Sequence, residues 1–213
     1  SLFNSLYPPS SFTIPSDQSL VGKHLRVKVV TTDSLGGTTE LFSSSQVIAN
    51  VNDAPSDIIL SANSVNENNQ VGYVIGTLSA VDVDSSSFSF SLGSSKDESS
   101  FSISSNSLIA NAVFNYEIKD SYTIDIIVSD GGLSYSKEFT VSVVDINEPP
   151  TDITLSLNTI DENASIGTTI GTLSTTDPDA ASNTFTYAVS DTTNFQIDGA
   201  TLKSNAVFNY EAV

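Results

Sequence analysis

The chain repeats itself. PSDIILSANSVNENNQVGYVIGTLSAVDVD, from Pro55, aligns with PTDITLSLNTIDENASIGTTIGTLSTTDPD, from Pro150, and LIANAVFNYE, from Leu108, aligns with LKSNAVFNYE, from Leu202. The offset is 95 residues at Glu67/Glu162 and Asp82/Asp177 and 94 at Glu117/Glu211, so the intervening loops differ by one residue. Because the match runs through strand-like segments and loops alike, each copy is one folding unit used twice. Three segments follow: residues 1–54, which do not match; a complete copy at 55–149; and a copy at 150–213 that stops before the counterparts of its last two strands.

Within a copy the apolar residues alternate. Tyr122, Ile124, Ile126 and Val128 share one face of a strand, Phe139, Val141 and Val143 share one face of the next, and Asp130-Gly131-Gly132 turns between them. No helical periodicity reaches three turns. The predicted class is all-β: tandem Greek-key β-sandwiches of seven strands each, incomplete at both chain ends. Composition narrows the function. With 25 acidic against 7 basic side chains and a net charge of -18, a phosphate-binding face cannot be assembled, so nucleic acid is excluded as a partner. The absence of cysteine removes disulfides, thiolate metal sites and cysteine nucleophiles, and a small β domain then needs another staple, such as bound metal. His24 is the one histidine, there is no Gly-rich phosphate loop, and the paired carboxylates all fall in metal-type motifs, so no enzyme activity is expected.

Those motifs recur in order: Asn66-Glu67-Asn68, Asp82-Val83-Asp84, Phe114-Asn115-Tyr116-Glu117, Asp130-Gly131 and Asp145-Ile146-Asn147-Glu148-Pro149-Pro150, then Asp161-Glu162-Asn163, Asp177-Pro178-Asp179 and Asn209-Tyr210-Glu211. In order and spacing they resemble the calcium motifs of cadherin repeats. The resemblance implies modules stacked end to end with up to three calcium ions at each junction. At the complete junction it assigns carboxylates from Glu67, Glu117, Asp145, Glu148, Asp177 and Asp179, the backbone carbonyl of Asn147 and a carbonyl oxygen from Asn183. A second, poorer junction would use Asp53, Asp82, Asp84 and Asp130 with the carbonyl of Asn52, and Glu162 with Glu211 would serve a third beyond the fragment. Calcium suits this set on chemical grounds too, since it takes six to eight oxygen ligands and needs no nitrogen or sulfur. Two departures stand out. Asn115 and Asn209 occupy positions where the family usually has Asp, and the loop after Asp84 is two residues shorter than the loop after Asp179, with Ser85 to Ser87 in place of an Asn183 counterpart.

Residues 1–54 contain Lys23 to Val30, a turn at Asp33 to Gly37 and Thr38 to Phe42, which reads as a β-hairpin, followed by Gln46 to Val51. This resembles the C-terminal part of an immunoglobulin-like repeat found beside cadherin-like modules in bacterial surface proteins. The expected function is a calcium-binding structural and adhesive segment of a large extracellular or cell-surface protein, a membrane-associated bacterial adhesin, with neighbouring repeats and a cell-surface protein or glycan as partners. The alternative is a carbohydrate-binding or accessory module of a secreted polysaccharide-degrading enzyme, with Tyr73, Tyr135 and Tyr187 as candidate sugar platforms. Asp97 and Glu98 read as solvated surface.

Overall fold

A computed structural model describes residues 18–179 and 184–212. The N-terminal segment holds β1 (His24–Leu25), β2 (Lys28–Thr32), β3 (Thr38–Phe42) and β4 (Gln46–Val47). β2 and β3 form the expected hairpin. Its turn is fixed by Asp33, whose Oδ1 accepts the N–H groups of Leu35 (2.9 Å) and Gly37 (2.8 Å). The single strand expected over Lys23 to Val30 is two strands, because Val27 exchanges hydrogen bonds with Ser43 and leaves β1 to pair with β4.

The first repeat follows as β5 (Asp57–Leu60), β6 (Ser64–Asn66), β7 (Val74–Val81), β8 (Ser89–Leu92), β9 (Phe101–Ser104), β10 (Ser107–Ala110), β11 (Ser121–Ser129) and β12 (Ser134–Val144). Its sheets run β5-β7-β10-β9 and β6-β12-β11-β8. Seven strands became eight because the first is divided: β5 pairs with β7 in one sheet, and the chain then crosses at Ser61 to Asn63 so that β6 joins the other beside β12. The crossing runs directly over Gly76, where a Cβ would lie 2.5 Å from the Ala62 carbonyl oxygen, so only glycine fits. Ile124, Ile126 and Val128 of β11 and Val141 of β12 are fully buried against Ile58, Leu108 and Phe114. Phe101, Phe114 and Tyr122 stack together, with centroids 4.7 to 5.9 Å apart.

The second repeat has β13 (Asp152–Leu155), β14 (Thr169–Thr176), β15 (Phe195–Asp198) and β16 (Thr201–Ser204), ordered β13-β14-β16-β15. Its register copies the first: Asp57 faces Val81 as Asp152 faces Thr176, and both copies carry the same irregularity, opposite Leu108 and Leu202. The pair Phe195–Phe208 repeats Phe101–Phe114, at 5.6 Å and 33° against 5.4 Å and 34°.

Asp97 and Glu98 are not solvated surface. Glu98 is buried, and its carboxylate accepts the N–H groups of Lys96 (2.6 Å) and Asp125 (3.1 Å), while Asp97 accepts that of Thr123 (2.8 Å). The 3-10 turn Glu98–Ser100 is thereby pinned to β11. The Glu98 carboxyl lies below its usual range because these N–H groups and the Lys96 cation outweigh the opposing effect of burial. The described residues form two compact units, one of residues 18–114 with 121–143 and one of residues 115–120 with 144–179 and 184–212. The second therefore includes the turn that carries Glu117.

Candidate metal centre

In the second unit, Glu117 from the turn after Phe114, Glu148 from the linker and Asp179 from the loop after β14 each bring a carboxylate oxygen within 4.8 Å of the others. Backbone bonds aim them. The Glu148 N–H donates to Asp179 Oδ2 (2.5 Å), and the Asp179 N–H donates to Oδ1 of the buried Asp177 (3.0 Å). Asn147 Nδ2 donates to the Glu148 carbonyl (3.2 Å). The turn bearing Glu117 is capped by Asn115, whose Oδ1 accepts the Ile118 N–H (2.8 Å). Asn209 does the same in the second copy for Glu211 N–H (3.0 Å), so both asparagines serve as turn caps. Asp179 Oδ1 is buried without a hydrogen-bond partner. Asp145 is exposed in the linker and is not one of the gathered carboxylates. Glu67 belongs to the first unit and is 3% exposed. It precedes Asn68, which takes a left-handed φ of 55° and donates its N–H to Phe114 O. Asn183 lies outside the described residues.

The first unit contains the other predicted cluster. Asp82 Oδ1 accepts the N–H groups of Asp84 and Ser85 (both 2.9 Å), and Asp84 Oδ2 accepts the Asp53 N–H (3.3 Å). Asp130 Oδ1 accepts from Gly132 (2.7 Å) and Leu133 (2.8 Å), and its Oδ2 from Asn52 Nδ2 (2.8 Å). Asp82 Oδ2 and Asp84 Oδ1 are buried and have no hydrogen-bond partner. The Asp84 N–H holds the Asp82 carboxyl below its ordinary value, against burial and the neighbouring Asp130 charge, and the Leu133 and Gly132 N–H groups do the same for Asp130. Both stay ionised near neutral pH.

The two clusters share one frame. Asp53 N–H to Asp84 corresponds to Glu148 N–H to Asp179, Asn52 to the Asp53 carbonyl (3.2 Å) corresponds to Asn147 to the Glu148 carbonyl, and each Asp-x-Asp closes on itself. Sequence reasoning missed Asn50 and Gln18. Asn50 Nδ2 donates to Asp84 Oδ2 (2.9 Å), and Gln18 Nε2 donates to Asp53 Oδ2 (2.7 Å). Asn50 was within reach, since it sits 95 residues before Asp145 and replaces that carboxylate with an amide. Gln18 left no such signal.

The donors are all oxygen, and carboxylate oxygens are buried without protein donors at Asp82, Asp84 and Asp179. Such atoms are costly unless a cation or proton donor meets them. A hard divalent cation accepting carboxylate and carbonyl ligands in loose geometry fits this set, and a nitrogen- or sulfur-seeking metal does not. Of the three tyrosines that a sugar platform would require, Tyr135 packs against the first core and Tyr187 is bonded to Thr175 (2.9 Å), which leaves Tyr73 as the exposed one.

A two-sheet β-sandwich followed by a second copy whose described strands repeat one of those sheets, with carboxylates beside the linkers, defines the class as modular β-repeat proteins. No family model matches the chain. Cadherin-18 of Bos taurus is 30% identical over 173 residues, covering 69% of this chain and 22% of that protein. Protocadherin alpha-2 of Pan troglodytes is 32% identical over 173 residues, covering 73% and 18%. Among solved structures, mouse Cadherin-23 EC22-24 aligns with a TM-score of 0.64 at 21% identity, over 94% of this chain and 68% of that one. The fold is thus that of cadherin extracellular domains, and the chain spans less than a quarter of the two cadherins' length.

Proposed function

We propose that the chain is a calcium-stiffened segment of a large extracellular or cell-surface adhesion protein, with repeats at 55–149 and 150–213. The observation that carries this is the recurrence, at equivalent positions 95 residues apart, of a buried and unpartnered Asp Oδ1 at Asp84 and Asp179 within matching linker frames. Glu67, Glu117, Asp145, Glu148, Asp177 and Asp179, with oxygens of Asn147 and Asn183, would hold calcium at one joint. Asp53, Asp82, Asp84, Asp130 and the carbonyl of Asn52 would hold fewer ions at the other. Bound calcium cancels carboxylate charge and ties segments of chain together, so its role is mechanical. The cell-surface location follows from the cadherin-like fold. The bacterial setting rests on the hairpin of residues 23–51, and its adhesion partner is a cell-surface protein or glycan. Calcium titrated calorimetrically into the 213-residue chain is expected to bind saturably and to change its X-ray scattering curve relative to chelator. Absence of binding, or identical curves, refutes the proposal.

A further inference from the structure

Asn163-Ala164-Ser165 is the one place in the chain where asparagine is followed, after a residue other than proline, by serine or threonine. This is the acceptor pattern for N-linked glycan, which requires an accessible asparagine amide on a surface loop in a secreted protein. Both conditions of geometry are met. Asn163 and Ser165 are exposed, and the asparagine backbone sits at a left-handed φ of 58°, on the loop between β13 and β14. Its N–H is held by Phe208 O (2.8 Å), which fixes the backbone while the residue stays exposed. Asp161 stands two residues ahead, so the stricter pattern with an acidic residue at that position is also satisfied.

The first copy shows that this is not a by-product of the repeat. Asn68 has the same conformation, at φ 55°, but Gln70 replaces the serine. Where the second copy has Ala164, the first has Asn69, whose side chain clasps the loop through Phe114 N–H (2.9 Å) and the Ala112 carbonyl (2.9 Å). The second copy has a small residue in place of that clasp and a hydroxyl in place of the Gln70 amide.

We infer that Asn163 is an N-glycosylation site. In the transfer, Asn163 Nδ2 attacks the anomeric carbon of a polyprenyl-pyrophosphate-linked oligosaccharide bound to a membrane oligosaccharyltransferase. The C–N bond forms as the C–O bond to pyrophosphate breaks; the pyrophosphate leaves with the bonding pair, and Nδ2 gives up one proton. The inference rests on the extracellular location proposed above.

The test forces export with an added signal sequence in two hosts, one eukaryotic and one bacterial carrying an acid-requiring oligosaccharyltransferase, so that the chain's natural location is not what is measured. A fractionation of the native host tests that location separately. Peptide mass spectrometry is expected to find glycan on Asn163, and amidase release in heavy-oxygen water should leave a labelled aspartate there. Asn163→Gln and Ser165→Ala should abolish the modification, the latter without touching the left-handed residue, and Ser165→Thr should keep it. Asp161→Asn should abolish it only in the acid-requiring host, which distinguishes the two transferases. An exported chain with Asn163 unmodified in both hosts, while a control sequon protein is modified, overturns the inference, as does glycan that survives Ser165→Ala.

Discussion

Replacing Asp179 by Asn should move stability in opposite directions with and without calcium. Asp179 places a carboxylate oxygen within 4.8 Å of oxygens from both Glu117 and Glu148. Two unit charges at that separation repel by about 1 kcal/mol at the dielectric of water and by about 3.5 kcal/mol at an effective dielectric of 20. Glu117 is exposed and salt screens the pair, so the low end applies. Removing the charge relieves about 1–2 kcal/mol, and the asparagine oxygen can still accept the Glu148 N–H, through a weaker bond. In chelator the variant should therefore be more stable by about 1 kcal/mol, about 4–8 °C in melting temperature for a domain of this size. In calcium the order reverses. A ligand at a hundred times its dissociation constant adds about 2.7 kcal/mol to the wild-type repeat, and the variant, short of a carboxylate, should keep less than half of that. Thermal melts by circular dichroism in chelator and in saturating calcium measure all four values. Asp198→Asn, an exposed carboxylate paired with Lys203, is the control that should leave the calcium gain intact. A variant that is less stable in chelator and retains the full calcium gain would refute the reasoning.

The reverse change at the other joint, Asn50→Asp, exchanges the amide donor to Asp84 for a carboxylate, the fifth in the set with Asp53, Asp82, Asp84 and Asp130. It should lower the melting temperature in chelator and tighten calcium binding several-fold by calorimetry; unaltered affinity would count against a cation site there. Gly76→Ala drives a Cβ into the Ala62 carbonyl and should cost about 1–3 kcal/mol in urea unfolding, whereas no loss would show that the strand crossing can move aside. Asp57, bonded to Lys137 at 2.7 Å, has its carboxyl held below the ordinary 3.8, first by that hydrogen bond. A depressed value means that the unfolded chain takes up the proton first, so this contribution is present above about pH 4 and is lost as pH falls through the folded value. Asp57→Asn should flatten that acid limb in stability curves, and an unchanged limb would place the acid sensitivity elsewhere.

Much of this structure was legible in the sequence because it depends on local pattern. The alternation at Tyr122 to Val128 and Phe139 to Val143 read directly as the faces of β11 and β12, and the repeat offset carried strand register from one copy to the other. What could not be read depends on partners distant in the chain. Ile58 and Ile153 are equivalent in sequence, yet one is fully buried and the other 58% exposed: β11 and β12 cover the first, and no described strand stands opposite the second. Glu98 looked like any acidic loop residue, and only the docking of its turn on β11 reveals two backbone donors waiting for a carboxylate. The division of the first strand into β5 and β6 left one trace, Gly76, whose meaning appears only once the crossing chain is seen above it.

The candidate sites separate into a part set by the backbone and a part set by charge. Asx closures at Asp82 and Asp177, and the linker N–H bonds to Asp84 and Asp179, join neighbouring segments through protein groups and orient the same carboxylates in both copies. The joints then differ in what is hung on a common frame: Asn50 for Asp145, Asp53 for Glu148, an amide latch for a carboxylate. On these grounds calcium affinity at each joint should follow the number of carboxylates offered to the frame rather than the shape of the linker.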